Sequence, residues 1–154
     1  MILTLALLLA APDKLPPAAA LPPPASEEAA VLAPVNALFA AIAARDGAGM
    51  AAQSTGTGTV TVATEKPEGT TITHRSWAEL AAGMKPGPER YEERLTSPAV
   101  EIDGDIAMVW GSYVFLIDGK PHHCGVDHFD LVRKDGAWKL VNATWSWRAT
   151  GCAD

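Results

Sequence analysis

The chain has 154 residues, with 12 Lys and Arg against 18 Asp and Glu, for a net charge of −6. An acidic chain of this kind repels polyanions, which argues against nucleic acid or an anionic membrane surface as the main partner. The N-terminal apolar run from Met1 to Ala11 falls well short of the ~20 residues that a spanning helix needs, so no membrane partner is expected after processing.

That run, MILTLALLLAA, is followed by PDKLPPAAALPPPA. It reads as the apolar region of a signal peptide and a Pro/Ala-rich linker, with small residues suited to cleavage near Ala11 or Ala20. No Lys or Arg precedes the run, so the charged start of a signal peptide is weak, and no cysteine follows it to take a lipid. The expectation is a signal peptide and linker over residues 1–25, one folded domain over 26–154, and a periplasmic or secreted location. In an exported protein two cysteines invite a disulfide, here Cys124 with Cys152; the alternative is two separate thiols.

The spacing predicts a helix from Ser26 to Asp46, with Val31, Val35, Leu38, Phe39 and Ile42 on one apolar stripe and Ser26 as its cap. Pro34 either kinks that helix or sits in its first turn. AGMAAQ then gives one or two short helical turns. Gly56 to Thr64 alternates and is rich in β-branched residues, so it reads as a strand. Lys66-Pro67-Glu68-Gly69 turns it into a partner over Thr70 to His74. Ser76 and Glu79 form a capping box for a short helix that carries Trp77, Leu80, Ala81 and Met84. From Tyr91 onward the pattern is strand: Tyr91 to Ile102 with a bulge near Ser97-Pro98, then Ile106 to Ile117 after a turn at Asp103-Gly104. Asp118-Gly119 leads into the last hairpin, Pro121 to Arg148, which turns at Asp135-Gly136. With that loop, Cys124 lies opposite about Trp147, and a bridge to Cys152 requires the tail to fold back. Helices followed by a four-strand meander give an α+β domain, and strong curvature of the strands would enclose an apolar cone.

The last hairpin concentrates the polar chemistry. Asp127 sits among apolar neighbours, and His123 shares its strand parity, whereas His122 and His128 have the opposite parity. Asp127 is either a polar anchor inside a pocket or a structural aspartate. An Asp127/His123 pair can serve as acid and base, although a solvated His123 is the plainer reading. A zinc site of His122, His123, Cys124 and His128 is disfavoured, because neighbours on a strand point to opposite faces. On the Ile106–Ile117 strand, Tyr113 and Phe115 share one parity and Trp110 and Leu116 the other, and sequence leaves open which set faces inward. Trp110, Trp138 and Trp145 read as core or sheet-packing residues. No phosphate loop, dinucleotide fingerprint or hydrolase nucleophile motif occurs, so no cofactor is expected.

This element order, with the motifs GDIAMVWGSYVF and HCGVDHFDLVRKDGAWKL and a terminal GC, resembles the nuclear-transport-factor-2-like (NTF2-like) superfamily over residues 27–152. The SnoaL-like and "putative lumazine-binding" groups look most similar. The resemblance implies a curved antiparallel sheet packed against about three N-terminal helices. It implies little about function, because this scaffold hosts isomerases, cyclases, dehydratases and binding domains. Gly125 to Phe129 also resembles the ketosteroid isomerase strand whose protonated aspartic acid donates to a ligand carbonyl. The resemblance places Asp127 in the cone, with Phe39 at the position of that family's tyrosine and Trp147 as a pocket aromatic. The position of the general base falls near Val62, with Glu65 reachable only after a shift.

The first expectation is therefore an exported protein that binds a small apolar or cyclic molecule through Asp127, Phe39, Tyr113 and Trp147. An isomerase, dehydratase or cyclase using Asp127 with His123 is the alternative. A third reading is an interaction module forming a homodimer through its open sheet face.

Overall fold

The computed structural model describes residues 24–152, and side chains from residue 27. The expected signal peptide lies outside the described residues. Helix α1 (Pro24–Ala43) continues past Pro34, which is neither in its first turn nor at its end. Its stripe of Val31, Val35, Leu38 and Phe39 is buried. Ser26 falls inside the first turn, so it does not hold the cap position expected for it. Arg45, at φ 53°, closes the helix, and α2 (Gly47–Ala52) follows at once.

Strand β1 (Val60–Lys66) starts four residues later than the sequence suggested. Gly56 and Gly58 have φ of 78° and 99°, outside the extended region. A Cβ at Gly58 would lie 2.0 Å from the Val141 carbonyl oxygen. The stretch before Val60 is a loop passing close over the sheet. Strand β2 (Gly69–Arg75) completes the hairpin. Helix α3 (Trp77–Gly83) opens on the capping box: Ser76 Oγ accepts from the Glu79 N–H, and Glu79 Oε2 accepts from the Ser76 N–H. Trp77 Nε1 donates to the Val141 carbonyl at 2.7 Å and fixes α3 to the sheet.

Strands β3 (Tyr91–Asp103), β4 (Ile106–Ile117), β5 (Lys120–Lys134) and β6 (Ala137–Trp147) form the meander. Asp118-Gly119 and Asp135-Gly136 both take positive φ at two successive residues, the pattern of a type I′ hairpin turn. The β3–β4 turn is Gly104-Asp105, one residue beyond Asp103-Gly104, because Asp103 pairs with Ile106. Register shifts between Thr96 and Ala99, Phe115 and Leu116, and Asp130 and Leu131 bend the long strands.

All six strands join one sheet in the order β2-β1-β6-β5-β4-β3. The β1–β6 pairing is parallel and the rest are antiparallel, so the first hairpin extends the meander. The sheet curves over the helices as an α+β cone. Val60, Val109, Leu131 and Leu140 pack with Val31, Val35 and Trp77 into the core between sheet and helices. Each such side chain contributes about 1.5–3 kcal/mol by leaving water. Among the described residues no helix is long and apolar enough to cross a membrane.

Past β6, Arg148 pairs with Cys124 through two backbone hydrogen bonds of 3.0 Å. Gly151 (φ 71°) then turns the tail back, and Cys152 forms a disulfide with Cys124 at a Cα–Cα distance of 5.5 Å. The bridge caps a small second cluster of Val114, Leu116 and Cys124.

Candidate functional site

The register decides what faces the interior. Phe115 lies between Glu93 on β3 and His123 on β5, and Tyr113 between Leu95 and Gly125. Residues directly opposite in a ladder point to the same face, so Tyr113 and Phe115 are the inward set on β4. Trp110, 51% exposed, belongs to the outer face, where its ring lies 5.7 Å from His128. Leu38, Phe39, Ile42 and Met50 from the first two helices and Trp77, Leu80 and Met84 from the α3 region close the other side. Together with Glu93, Tyr113, Phe115, His123, Asp127, Phe129, Ala143 and Trp145 they enclose a cavity of about 180 Å³.

Asp127 is 2% exposed in this largely apolar wall, and its Oδ2 has no donor unless one comes from Glu93. The two carboxyl groups are in hydrogen-bonding contact. Two carboxylates cannot both accept, so one of them keeps a proton. Burial raises the Glu93 carboxyl to about 7. Burial, and then the charge of Glu93, holds Asp127 well above the usual carboxylate range. With both carboxyls protonated, one O–H bridges them and the other is left to donate beside an acceptor oxygen.

Tyr113 supports the pair without donating to it. Its hydroxyl donates to the Ser146 carbonyl at 2.9 Å, and burial followed by the Asp127 and Glu93 charges raises its pKa, so the phenol stays neutral. Ser146 can accept there because its Oγ, not its carbonyl, receives the Val126 N–H at 3.0 Å. Gly125 makes this crossing feasible: a Cβ would sit 2.0 Å from the Ser146 oxygen.

His123 is a plate in the wall. Its ring stacks between Phe115 (4.7 Å, 20°) and Trp147 (5.3 Å, 28°), and its Nδ1 lies 2.9 Å from Nδ1 of His122. Burial, then the charge of His122, lowers its pKa to about 4, so it is neutral at physiological pH. His122 departs from the expected opposite face. It is the extra residue of the β4–β5 bulge, and its ring meets Phe115, His123 and Trp147 at the rim.

The structure brings Asp127, His123, Phe39 and Tyr113 to one cavity. Trp147 does not line it: Trp145, opposite Asp127, takes that place, and Trp147 lies two residues further on, against His123. Trp145 is thus a cavity residue as well as a packing residue. Val62 is buried and Glu65 is exposed, 4.0 Å from Arg148; neither lines the cavity. Cys124 is held in its disulfide and His128 lies beside Trp110, so the four residues weighed as a zinc site are not brought together. Sequence reasoning missed Glu93, although its signal was present. Tyr91, Glu93 and Leu95 alternate as apolar, acidic, apolar, the same anomaly that singled out Asp127.

Residues 26–146 match the family described as "Putative lumazine-binding". Similar solved structures include a protein of unknown function from Mycobacterium tuberculosis, at 22% identity and TM-score 0.61, covering 80% of this chain and 77% of that one. A dehydratase-type protein of the NTF2-like family from Streptomyces avermitilis matches at 19% identity and TM-score 0.58, covering 80% and 97%. The β subunit of an aromatic-ring-hydroxylating-dioxygenase-type protein from Novosphingobium aromaticivorans reaches TM-score 0.67 at 11% identity, covering 84% and 94%. At these identities the structural likeness concerns the fold alone. A comparison with curated protein sequences finds no match. The family match over most of the domain makes the chain a member of this lumazine-binding-type family, and its cone has the fold of NTF2-like proteins.

Proposed function

We propose that the protein binds a small planar heterocycle in its cone, with the Glu93–Asp127 pair meeting an N–H and a neighbouring C=O on the ring edge. The observation that carries this reading is Asp127, buried in an apolar cavity with Oδ2 unpartnered except through Glu93. A pair holding two protons, one of them bridging the carboxyls, offers one free donor and one acceptor, complementary to a lactam or imide edge. Size supports the same class. A cavity of roughly 150 Å³ admits a benzene ring, so a cavity of about 180 Å³ suits one ring or a compact two-ring system and not a steroid. The family description, which names a pteridine, points the same way.

The test is calorimetric titration with lumazine, uracil and 2-pyridone. Asp127→Asn should weaken binding by about 10–100-fold, the cost of one mismatched buried hydrogen bond to a charged or polar group. Absence of saturable binding of all three by the wild-type protein would remove the reading.

A second reading, acid–base catalysis, is favoured by Glu93: a carboxyl raised to about 7 exchanges its proton near neutral pH. An isomerase, dehydratase or cyclase would then use Asp127 with Glu93. His123, neutral and poorly basic between two rings, is the weaker candidate. Exchange of deuterium from solvent into a carbon of a bound ligand would separate turnover from binding.

The Cys124–Cys152 disulfide supports a periplasmic or secreted location, because such bonds persist in oxidising compartments. N-terminal sequencing of the protein from its native source would locate the processing site. A homodimer through the outer sheet face, where Ile106 and Trp110 are exposed, is tested by the mass in solution.

A further inference from the structure

Beside the cavity lies a second cleft of about 270 Å³, walled by Arg45, Arg75, Lys85, Tyr91, Leu80 and Met84. Leu80 and Met84 line the cavity as well, so the two spaces share a wall. On β3, Tyr91 borders the cleft and Glu93 the cavity, which puts them about 7 Å apart along the strand. The Tyr91 ring meets Phe115 of the cavity edge to face at 5.2 Å. The cleft is a side chamber of the same site.

Its charge is opposite to that of the chain. The molecule carries −6 overall, yet three of its cations gather here. Arg45 is fully engaged: it donates to the Glu89 carboxylate at 2.6 Å and to the carbonyls of Glu89 and Lys85 at 3.1 Å, and it lies 3.7 Å over the Tyr91 ring. It neutralises Glu89 and holds the loop between Met84 and Tyr91 in place. Arg75 and Lys85 are exposed and form no ion pair within 4.0 Å among the described residues. The nearby acid, Glu79, has its carboxylate tied to the Ser76 N–H and hydroxyl, and the charge of Arg75 is the weakest of the influences on it. Two cations therefore face the cleft without a full counter-charge, beside an apolar wall that strengthens their field.

We infer that this cleft holds an anionic arm, a carboxylate or a phosphate, carried by the ligand whose ring occupies the cavity, with Arg75 and Lys85 as its partners. This rests on the proposed function. The ring bound at Glu93 covers part of the ~7 Å to Tyr91, and a short arm of two to four bonds covers the remainder. The arginine offers a bidentate fork for the anion, and the lysine a point charge.

The experiment compares uracil-1-acetate with its neutral counterpart, uracil-1-acetamide, by calorimetry. N1 substitution points the arm away from the ring edge offered to Glu93 and Asp127. Wild-type protein should bind the acetate about tenfold more tightly, and that preference should shrink as salt is raised. The double variant Arg75→Ala/Lys85→Ala, with an unchanged melting temperature, should bring the two affinities together. Equal binding of both probes by the wild-type protein overturns the arm site and leaves the ring pocket standing. A preference for the acetate that survives in the double variant places the anion elsewhere and equally overturns it. Binding of neither probe while uracil itself binds overturns the arm site alone, and failure of uracil, lumazine and 2-pyridone as well refutes the ring pocket with it.

Discussion

Leu131 and Asp127 lie on the same strand and the same face, four residues apart, and are almost equally buried at 1% and 2% exposure. Leu131 lies opposite Ala107 and Leu140 and belongs to the apolar core with Val109 and the α1 stripe. Asp127 faces a cavity of about 180 Å³, beside a second carboxyl. One curved strand thus serves two regions, a packed end that stabilises the cone and an open end that does not. What separates them is the side chains the register brings opposite: Asp127 faces Gly111 and Trp145, whereas Leu131 faces Ala107 and Leu140. Burial by itself does not identify a core residue; the partners across the strand do.

Substitutions should divide along that line. Leu131→Ala should cost about 2–5 kcal/mol through lost contacts and a residual void. Asp127→Asn should change stability by less than about 1 kcal/mol, since it removes a charge-bearing group from a site that disfavours charge. Urea midpoints of the two variants test the contrast, and a large loss for Asp127→Asn would mean that the open end is structural after all. Reducing the disulfide, or Cys152→Ser, should cost about 3–4 kcal/mol by freeing the loop it closes. That loss is read as the shift in urea midpoint with and without reductant. Gly125→Ala should cost about 1–3 kcal/mol because its methyl meets the Ser146 carbonyl. It should also loosen Tyr113, visible as a changed tyrosine fluorescence or ring-proton shift.

A further effect follows from pH. Glu93 holds its proton to about 7 in the folded chain and only to its ordinary value of 4.5 when unfolded. Between those values the folded state binds more protons, so its contribution to stability is full at low pH and is lost as pH rises through 7. Asp127 acts with the same sign. The difference in urea midpoint between wild type and Glu93→Gln, followed from pH 4.5 to 8, should show the wild type losing ground as pH rises. A difference that stays flat would mean that the carboxyl is not enclosed. Ser76→Ala at the capping box should cost about 1 kcal/mol, read from the same urea midpoints.

Features carried by short-range chemistry were legible in the sequence. The capping box of Ser76 and Glu79, the Asp135-Gly136 turn and the bulge at Ser97-Pro98 each depend on a few adjacent residues. The inward placement of Asp127 was legible because an acid stood alone on an apolar stretch. Glu93 escaped because it sits in YEER, which resembles a solvated charge run, and only pairing with Phe115 on another strand turns it inward. Trp147 was exchanged for Trp145 for the same reason: both share a face, and the pairing of Asp127 with Trp145 decides which one meets the cavity. The loop before Val60 was mistaken for strand because its threonines mask the positive φ of Gly56 and Gly58. Cross-strand register was the missing information in each case except the last.

The parallel pairing of β1 with β6 has a consequence in time. Val60 to Thr64 can complete their sheet only against Ala143 to Trp147, so the first strand made must wait for the last. A chain emerging at about 5–20 residues per second holds the β1–β2 hairpin unpaired on one side for several seconds before its partner exists. Closure of the cone is therefore a late and non-local event that pays its loop entropy at the end, which slows folding relative to the local hairpins. The same late arrival brings Cys152 to Cys124, so oxidation and sheet closure belong to one final step.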